Sequence, residues 1–178
     1  TLKRILVTAA LLLLLAVAGL AALIYHVSAP TTGPRIGTYA HPRTALLVVD
    51  IQEDFTGPKA VMPFRDGERI VRVTNELLAQ SDSRGYAVVY IENVIVNPII
   101  KLFAGGMNAP GSPGTRTDHR LPVLAGSARF EKNASDAFSN PALDAWLRQH
   151  EVDQVVITGL DGAHCVNATA HGALNRGY

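Results

Sequence analysis

Three side chains whose types could perform nucleophilic and acid–base chemistry together stand far apart in the chain: Asp50, Lys132 and Cys165. Cys165 is the only cysteine, so it cannot form an internal disulfide and is inert, reactive or intermolecular. A cysteine that begins a helix near a cation has its thiolate form favoured. A carboxylate can accept the thiol proton, and a lysine can keep that carboxylate ionised and oriented. Taken singly, each has an ordinary structural explanation, since lone cysteines often pack in cores and strand-end aspartates often cap turns.

The surrounding sequence places the three residues at one edge of a predicted sheet. Buried strands are predicted by apolar runs at residues 44–52, 86–92 and 154–160, and helices by the patterns at residues 67–82, 139–149 and 162–175. This alternation predicts an α/β fold with a doubly wound parallel sheet flanked by helices. Ligands bind beyond the carboxyl ends of such strands. Asp50 follows the first strand, Lys132 ends the run "SARFEK", and Cys165 lies just past the third strand. Asp50 and Gln52 are expected on one face, because side chains alternate along a strand.

The turn "GLDGAHC" before the third helix offers backbone N–H groups that could receive an oxyanion. It lacks the full G-x-G-x-x-G pattern, so dinucleotide binding is disfavoured and no cofactor is predicted. His164 and His171 would stand about 10.5 Å apart along a helix, too far for one ion. Asp118 and His119 are adjacent in a loop rather than convergent. We therefore predict no metal site.

Three separated segments, in this order, closely resemble the isochorismatase-like cysteine hydrolase superfamily: "ALLVVDIQEDF", "FEKNASDAFSNPALDAWL" and "VVITGLDGAHCVNATAHGALNRGY". That group includes nicotinamidases, ureidoacrylate and carbamoyl-type amidohydrolases, and isochorismatases. The resemblance covers about residues 44–178 and implies a Rossmann-type three-layer fold. It also implies a catalytic triad of Asp50, Lys132 and Cys165, in which Cys165 attacks an amide-like carbon. The resulting thioester is then hydrolysed by water.

The resemblance implies further details of the site. A non-proline cis peptide bond is expected between Leu160 and Asp161, a type of bond that is rare in proteins. The backbone N–H groups of Asp161 and Cys165 are expected to form the oxyanion hole. Phe55 is expected to line the substrate pocket with Gln52 close by, so these two are the predicted substrate-binding residues.

Departures from the family patterns narrow the expected reaction. Nicotinamidases carry an Asp-x-His…His zinc site after the second strand, whereas this region reads "YIENVIVNP" with no histidine before His119. Isochorismatases proper often have glycine in place of the cysteine. Cys165 therefore favours hydrolysis of a C–N bond in a small amide, ureido or carbamoyl compound. The alternatives are vinyl-ether hydrolysis of the isochorismatase type and a catalytically silent, membrane-tethered binding domain.

Residues 1–29 form the most apolar part of the chain. Residues 5–27 are an uncharged stretch of roughly 23, long enough to span a bilayer as a helix. Because Lys3 and Arg4 precede it, that end is expected in the cytoplasm and the domain on the periplasmic or extracellular side. The alternative is a secreted protein with a cleaved signal peptide, since "VSA" resembles a cleavage site. Pro30 directly after it disfavours cleavage.

The remaining expectations concern the organisation of the chain. Residues 30–43 are rich in proline, glycine and threonine and predict a linker to the domain at residues 44–178. The chain starts at Thr1 and stops at "NRGY", so the last strand and helix of the family sheet are expected to be missing. The long segment 94–122 is interpreted as a lid or an oligomer contact, so a homo-oligomer is possible. A net charge of +1 gives no reason to expect nucleic-acid binding.

Overall fold

The computed structural model describes residues 2–178, and its centre is a four-stranded sheet. The strands are β1 (Arg43–Val49), β2 (Ala87–Asn93), β3 (Ala128–Lys132) and β4 (Val152–Gly159). All neighbouring strands are parallel, and their order is β3-β2-β1-β4. The chain therefore builds the sheet outward from β1 in both directions, which confirms the doubly wound parallel arrangement. The carboxyl end of β1 lies where the strand order reverses, the usual position of a binding crevice.

Six α-helices accompany the sheet: α1 (Leu2–Ser28), α2 (Glu53–Thr56), α3 (Gly67–Ser83), α4 (Pro98–Phe103), α5 (Pro141–Gln149) and α6 (Cys165–Arg176). Helix α5 begins two residues later than predicted because Asn140 caps it. The Asn140 side chain accepts a hydrogen bond from the N–H of Ala142, and Pro141 needs no partner for its nitrogen. Helix α6 begins at Cys165 rather than at residue 162, because a hydrogen-bonded turn precedes it.

Each face of the sheet packs against different helices. Side chains alternate along β1, so Leu47 packs in the core that includes Leu143 and Leu147 of α5. Leu46 points to the other face and packs in the core that includes Val71 and Leu78 of α3. The domain therefore has the expected three layers, and burial on both faces holds the strand ends in fixed positions.

Helix α1 stands apart from these layers. It is about 40 Å long at the usual helical rise, and the apolar stretch within it is not buried inside the protein. It is therefore not a core helix of the domain. Its length and composition suit a membrane-spanning segment or a signal sequence near the N-terminus.

The chain after α1 lies along the domain surface. Thr31 donates two hydrogen bonds to Asp136, and the N–H of Ile36 donates to the carbonyl of Arg176 at 2.7 Å. Arg148 donates to the carbonyl of Arg35 at 3.2 Å. The first part of the predicted linker is thus fastened to the domain.

The long segment 94–122 is also attached to the domain. Thr117 pairs with Gln52 in an isolated antiparallel bridge, and the N–H of Asn108 donates to the Asp54 carboxylate at 2.7 Å. The segment contains helix α4, whose largest apolar side chains are exposed. Its predicted role as a lid or an oligomer contact stays a prediction.

Candidate active site

Asp50 directly follows β1 at the carboxyl edge of the sheet. Its backbone N–H donates to the carbonyl of Ile91 in β2 at 2.9 Å, which fixes the residue between the two central strands. Asp50 has a φ of 57°, so the extended conformation of β1 ends here. The residue is 3% exposed. Its Oδ1 atom is buried and accepts no hydrogen bond from residues 2–178.

Lys132 is the last residue of β3 and reaches both other members of the predicted triad. Its Nζ atom lies 2.9 Å from Oδ2 of Asp50 and 3.3 Å from Sγ of Cys165. The Nζ atom also donates a hydrogen bond of 3.0 Å to the carbonyl of Ala134. The ammonium thus has two hydrogen-bond acceptors and one ion-pair partner, which together orient it in a buried position.

Cys165 is the first residue of α6, and the turn before it brings it to the sheet edge. Gly159 ends β4 with a φ of 146°, and a Cβ there would lie 2.0 Å from the carbonyl oxygen of Val49. Only glycine permits this close approach to β1. Asp161 then accepts hydrogen bonds from the N–H groups of Ala163 and His164 at 2.7 and 2.8 Å. Hydrogen bonds within the turn therefore stabilise it, and the turn places the start of α6 next to Lys132.

The charges of the three side chains are coupled. Burial raises the pKa of the Asp50 carboxyl group, and the Lys132 ammonium opposes this only in part. Burial alone would lower the pKa of Lys132, but the neighbouring Asp50 and Cys165 raise it above its ordinary value. Burial and the Asp50 carboxylate raise the pKa of the Cys165 thiol to about 11, against the effect of Lys132.

A pKa raised to about 11 favours the neutral thiol at neutral pH, whereas the sequence pattern predicted a favoured thiolate at Cys165. The sequence pattern places a cation and a helix N-terminus near the sulfur, and both act in the expected direction. Burial and the negative charge of Asp50 outweigh them. A thiol of this kind needs a base at the moment of reaction, and Asp50 is the carboxylate beside it.

Two backbone N–H groups at the start of α6 and in the turn before it have no acceptor among residues 2–178. In the part of the chain that the structure describes, neither the N–H of Asp161 nor that of Cys165 donates a hydrogen bond. The peptide bond between Leu160 and Asp161 is cis, the bond that the resemblance singled out. Asp161 and Cys165 both line the same cavity, so their N–H groups are suitable donors for an anionic oxygen.

A cavity of about 130 Å³ lies beside the three side chains. Asp50 and Cys165 line it together with Leu160 and Asp161, and aromatic side chains form another part of its wall. Phe55 is one of these, and its ring meets that of Phe64 edge-on at 5.7 Å. Phe55 therefore lies where a substrate-lining residue was expected.

Gln52 does not line this cavity, although the sequence predicted it among the substrate-binding residues. Because Asp50 breaks the strand with a positive φ, the alternation that would place both residues on one face does not continue. Gln52 is fully buried. Its amide nitrogen donates to the carbonyls of Asn93 and Thr115, and its amide oxygen accepts from the N–H of Asn93. Gln52 thus holds the carboxyl end of β2 in place from outside the cavity.

Three cavity residues were missed from the sequence: Met62, Phe64 and Asn93. Asn93 could have been found, because it is a polar residue at the carboxyl end of a predicted strand, the signal that identified Asp50. Met62 and Phe64 carry no such signal. They lie in the irregular segment after α2 and reach the cavity only through the tertiary fold.

A second group of polar side chains comes together away from the cavity. Glu53, Asp118 and His119 each place one potential ligand atom within 4.8 Å of the others. His119 lies 2.7 Å from Glu53, and the Arg120 guanidinium lies 2.7 Å from Asp118. Although burial alone would raise it, hydrogen bonds from Arg120 lower the pKa of Asp118 to about 2. The Arg120 guanidinium therefore already neutralises Asp118, one of the three potential ligands.

Comparison with known proteins identifies the family of this chain. A family model described as the isochorismatase domain matches residues 44–178. The chain belongs to the isochorismatase family. The part that matches is the domain formed by the sheet and its helices, and α1 lies outside it.

Isochorismatase-family relatives include enzymes that are named for different substrates. Streptothricin hydrolase of Streptomyces noursei is 32% identical over 139 residues, which cover 77% of this chain and 51% of that protein. Nicotinamidase of Escherichia coli (strain K12) is 28% identical over 170 residues, covering 77% of this chain and 79% of that protein. The crystal structure of N-carbamoylsarcosine amidase from Thermoplasma acidophilum has a TM-score of 0.69 and 29% identity, covering 76% of this chain and 78% of that one. The chain spans about half the length of the streptothricin hydrolase that it matches.

Proposed function

We propose that this protein is a cysteine hydrolase that cleaves a C–N bond of a small amide, ureido or carbamoyl compound through a thioester at Cys165. The observation that carries the proposal is the contact of the Lys132 ammonium with both Asp50 and Cys165 beside one cavity. Relatives whose names are nicotinamidase and N-carbamoylsarcosine amidase support this type of reaction.

In the first half of the proposed reaction, the thiol proton passes to a carboxylate oxygen of Asp50 as the sulfur attacks the carbonyl carbon. The raised pKa of Asp50 makes it a stronger base than an ordinary aspartate. The carbonyl oxygen becomes an oxyanion, which the N–H groups of Asp161 and Cys165 stabilise. When the C–N bond breaks, Asp50 returns the proton to the leaving nitrogen, which departs as ammonia or an amine.

In the second half, water hydrolyses the thioester. Asp50, again ionised, accepts a proton from the water as its oxygen attacks the thioester carbon. The same two N–H groups receive the second oxyanion. The C–S bond then breaks, the sulfur takes the proton from Asp50, and the acid product leaves. Lys132 stays protonated throughout and offsets the charge on Asp50 and on the sulfur.

The structure favours this reaction over the two alternatives. Hydrolysis of a vinyl ether needs no thiol nucleophile, so in that reaction the contact between Lys132 and Cys165 would have no catalytic role. A silent binding domain leaves unexplained why Asp50 is buried with an unpaired Oδ1 atom beside a thiol.

We also propose that α1 anchors the protein in a membrane, with the domain on the periplasmic or extracellular side. The length and apolarity of α1 support the anchor, and Lys3 and Arg4 at its start support the orientation. The small-molecule substrate would then be met outside the cytoplasm.

The test is a hydrolase screen of the full-length protein against amides, ureides and carbamates, followed by trapping of the intermediate. We expect release of ammonia or amine and an acyl adduct on Cys165, detected by mass spectrometry after acid quench. Replacing Cys165 with alanine should abolish both. Turnover that survives Cys165→Ala would exclude the thioester route, and hydrolysis of an enol ether without any C–N cleavage would favour the isochorismatase type of reaction.

A further inference from the structure

Cys165 borders a second cavity, of about 160 Å³, in addition to the one described above. Asn93 is the other residue that lines both cavities. Much of the second wall is apolar and includes Val27, Val96 and Ile100. A substrate whose reacting carbon lies at the sulfur can therefore place one part in each cavity.

The end of α1 forms one wall of this second cavity. Val27 is the last residue of the uncharged stretch 5–27, and its carbonyl accepts a hydrogen bond from the N–H of Ser135 at 2.7 Å. Shortly after α1, the N–H and hydroxyl of Thr31 both donate to the buried Asp136, at 2.7 and 2.6 Å. Ser135 and Asp136 belong to the loop that follows β3. The carboxyl-terminal end of α1 is thus attached directly beside the candidate active site.

Helix α4 lies on the same cavity and carries uncovered apolar side chains. Ile100 of α4 lines the cavity together with Val27. The residues that we call the apolar patch are exposed by 46% or more: Val96, Ile99, Leu102 and Phe103. Leu102 and Phe103 are more than 80% exposed. Grouped apolar side chains of this kind mark a surface that binds something.

The neighbouring α1 indicates what covers the apolar patch. The apolar stretch of α1 is not buried by the protein, so an anchored chain has lipid around it. Tyr25, in the last turn of α1, is 76% exposed and is a residue type enriched at membrane–water interfaces. Lys101 of α4 has a long apolar stem and a charged end, which suits the same position. The apolar patch lies next to the carboxyl-terminal end of α1. A bilayer around α1 therefore extends to the patch.

We infer that the apolar patch rests on the bilayer surface, and that the second cavity opens there to take the apolar chain of an amphiphilic amide. The lipid contact depends on α1 remaining attached, whereas the substrate class rests on the proposed C–N hydrolysis. Substrate would reach Cys165 from the membrane surface, with its amide group in the first cavity and its apolar chain between Val27 and Ile100.

The lipid contact is tested with the full chain in phosphatidylcholine vesicles that contain brominated acyl chains, which quench nearby tryptophan. The matched pair is Phe103→Trp and Val123→Trp, because Val123 is also exposed but lies in the loop that leads to the opposite, amino-terminal end of β3. The unchanged protein, whose only tryptophan is Trp146, supplies the background. We expect added emission at position 103 to fall by about half, as for a side chain inserted below the headgroups, and emission at position 123 to stay constant. Equal emission changes at both positions, or none, would overturn the lipid contact.

The substrate class is tested with unbranched primary amides from acetamide to octanamide. If the second cavity takes the alkyl chain, kcat/KM should rise about three- to four-fold for each added methylene until the cavity is filled. Ile100→Asn should flatten this dependence on chain length. A chain-length series that is flat in the unchanged protein would overturn the amphiphilic substrate.

These outcomes separate the inference from the proposed function. If short amides are hydrolysed and kcat/KM does not rise for longer ones, the proposed C–N hydrolysis is supported and the apolar-chain site is overturned. Quenching at position 103 with no amide hydrolysed at any length supports the lipid contact and counts against both the hydrolase and the substrate class. If longer amides are hydrolysed faster but no quenching is seen, the second cavity is supported as the site of the alkyl chain and the lipid contact is overturned.

Discussion

The ammonium of Lys132 lies 2.9 Å from Oδ2 of Asp50, and both side chains are almost completely buried. Such a pair is costly to bury, and it persists where both charges have further partners. Lys132 has such partners in Ala134 and Cys165, whereas Oδ1 of Asp50 has no partner among residues 2–178. A buried carboxylate oxygen without a partner has the capacity to accept a proton.

Replacing Asp50 with asparagine should separate thiol ionisation from catalysis. Asp50 raises the pKa of the thiol, so Asp50→Asn should lower that pKa and speed alkylation of Cys165 by iodoacetamide at pH 8. Because the base is lost, kcat/KM should nevertheless fall about 10²- to 10⁴-fold. Asp153→Asn, at an exposed aspartate, is the matched control. Slower alkylation with full turnover would contradict the assignment of Asp50.

The pH dependence of kcat/KM should show an acid limb and no thiol transition near neutrality. The base acts when ionised, so activity is lost as the pH falls through the pKa of Asp50, which lies above its ordinary value of 3.8. The thiol has a pKa of about 11, so its direct ionisation does not enter between pH 7 and 9. Alkylation of Cys165 should likewise keep rising up to about pH 11, and a plateau near pH 8.5 would show an ordinary, exposed thiol.

The ion pair should behave as a unit in stability measurements. Lys132→Met leaves Asp50 buried without its cation and should lower the free energy of unfolding by about 3–5 kcal/mol. Combining it with Asp50→Asn removes both charges, so the double variant should be less destabilised than the sum of the single ones. Urea unfolding of the detergent-solubilised protein measures this cycle. Strict additivity would mean that the two groups do not interact in solution.

Gln52 should act on the site through Asn93 rather than on the substrate itself. Gln52→Leu removes three hydrogen bonds and leaves backbone groups of Asn93 and Thr115 unpaired, at about 1–3 kcal/mol for each buried group. We expect lower stability and a reduced kcat/KM without any change in the thiol pKa. Gln80→Leu, on the exposed side of α3, is the control and should change neither quantity. A Gln52→Leu variant of normal stability with a higher KM alone would restore its direct contact with substrate.

The membrane orientation can be measured by protease protection of the full chain in sealed vesicles of known sidedness. Lys3 and Arg4 should hold the N-terminus on the cytoplasmic side, so protease should cut the domain only from the opposite face. Mass spectrometry of the N-terminus of the same sample shows whether α1 is retained. Cleavage from the cytoplasmic face would reverse the orientation, and a mature chain that starts near Pro30 would show a secreted protein.

The central elements of the fold and the three reactive residues were accessible from sequence because their signals are local. Apolar runs predicted β1, β2 and β4, and a polar residue after a buried strand marks the carboxyl edge of a parallel sheet. Parallel strands bring their carboxyl ends together whatever the details of packing. Asp50 and Lys132 could therefore be grouped with Cys165 across more than a hundred residues of chain.

By itself, then, the sequence predicted three of the four strands, the candidate triad and the apolar N-terminal helix. Only the tertiary structure decided that Gln52 points away from the cavity, that the thiol of Cys165 is neutral, and that the end of α1 meets the loop after β3. The physical reason is that backbone propensity depends on neighbours along the chain. Burial, the distance between charges and the walls of a cavity depend on residues that folding alone brings together.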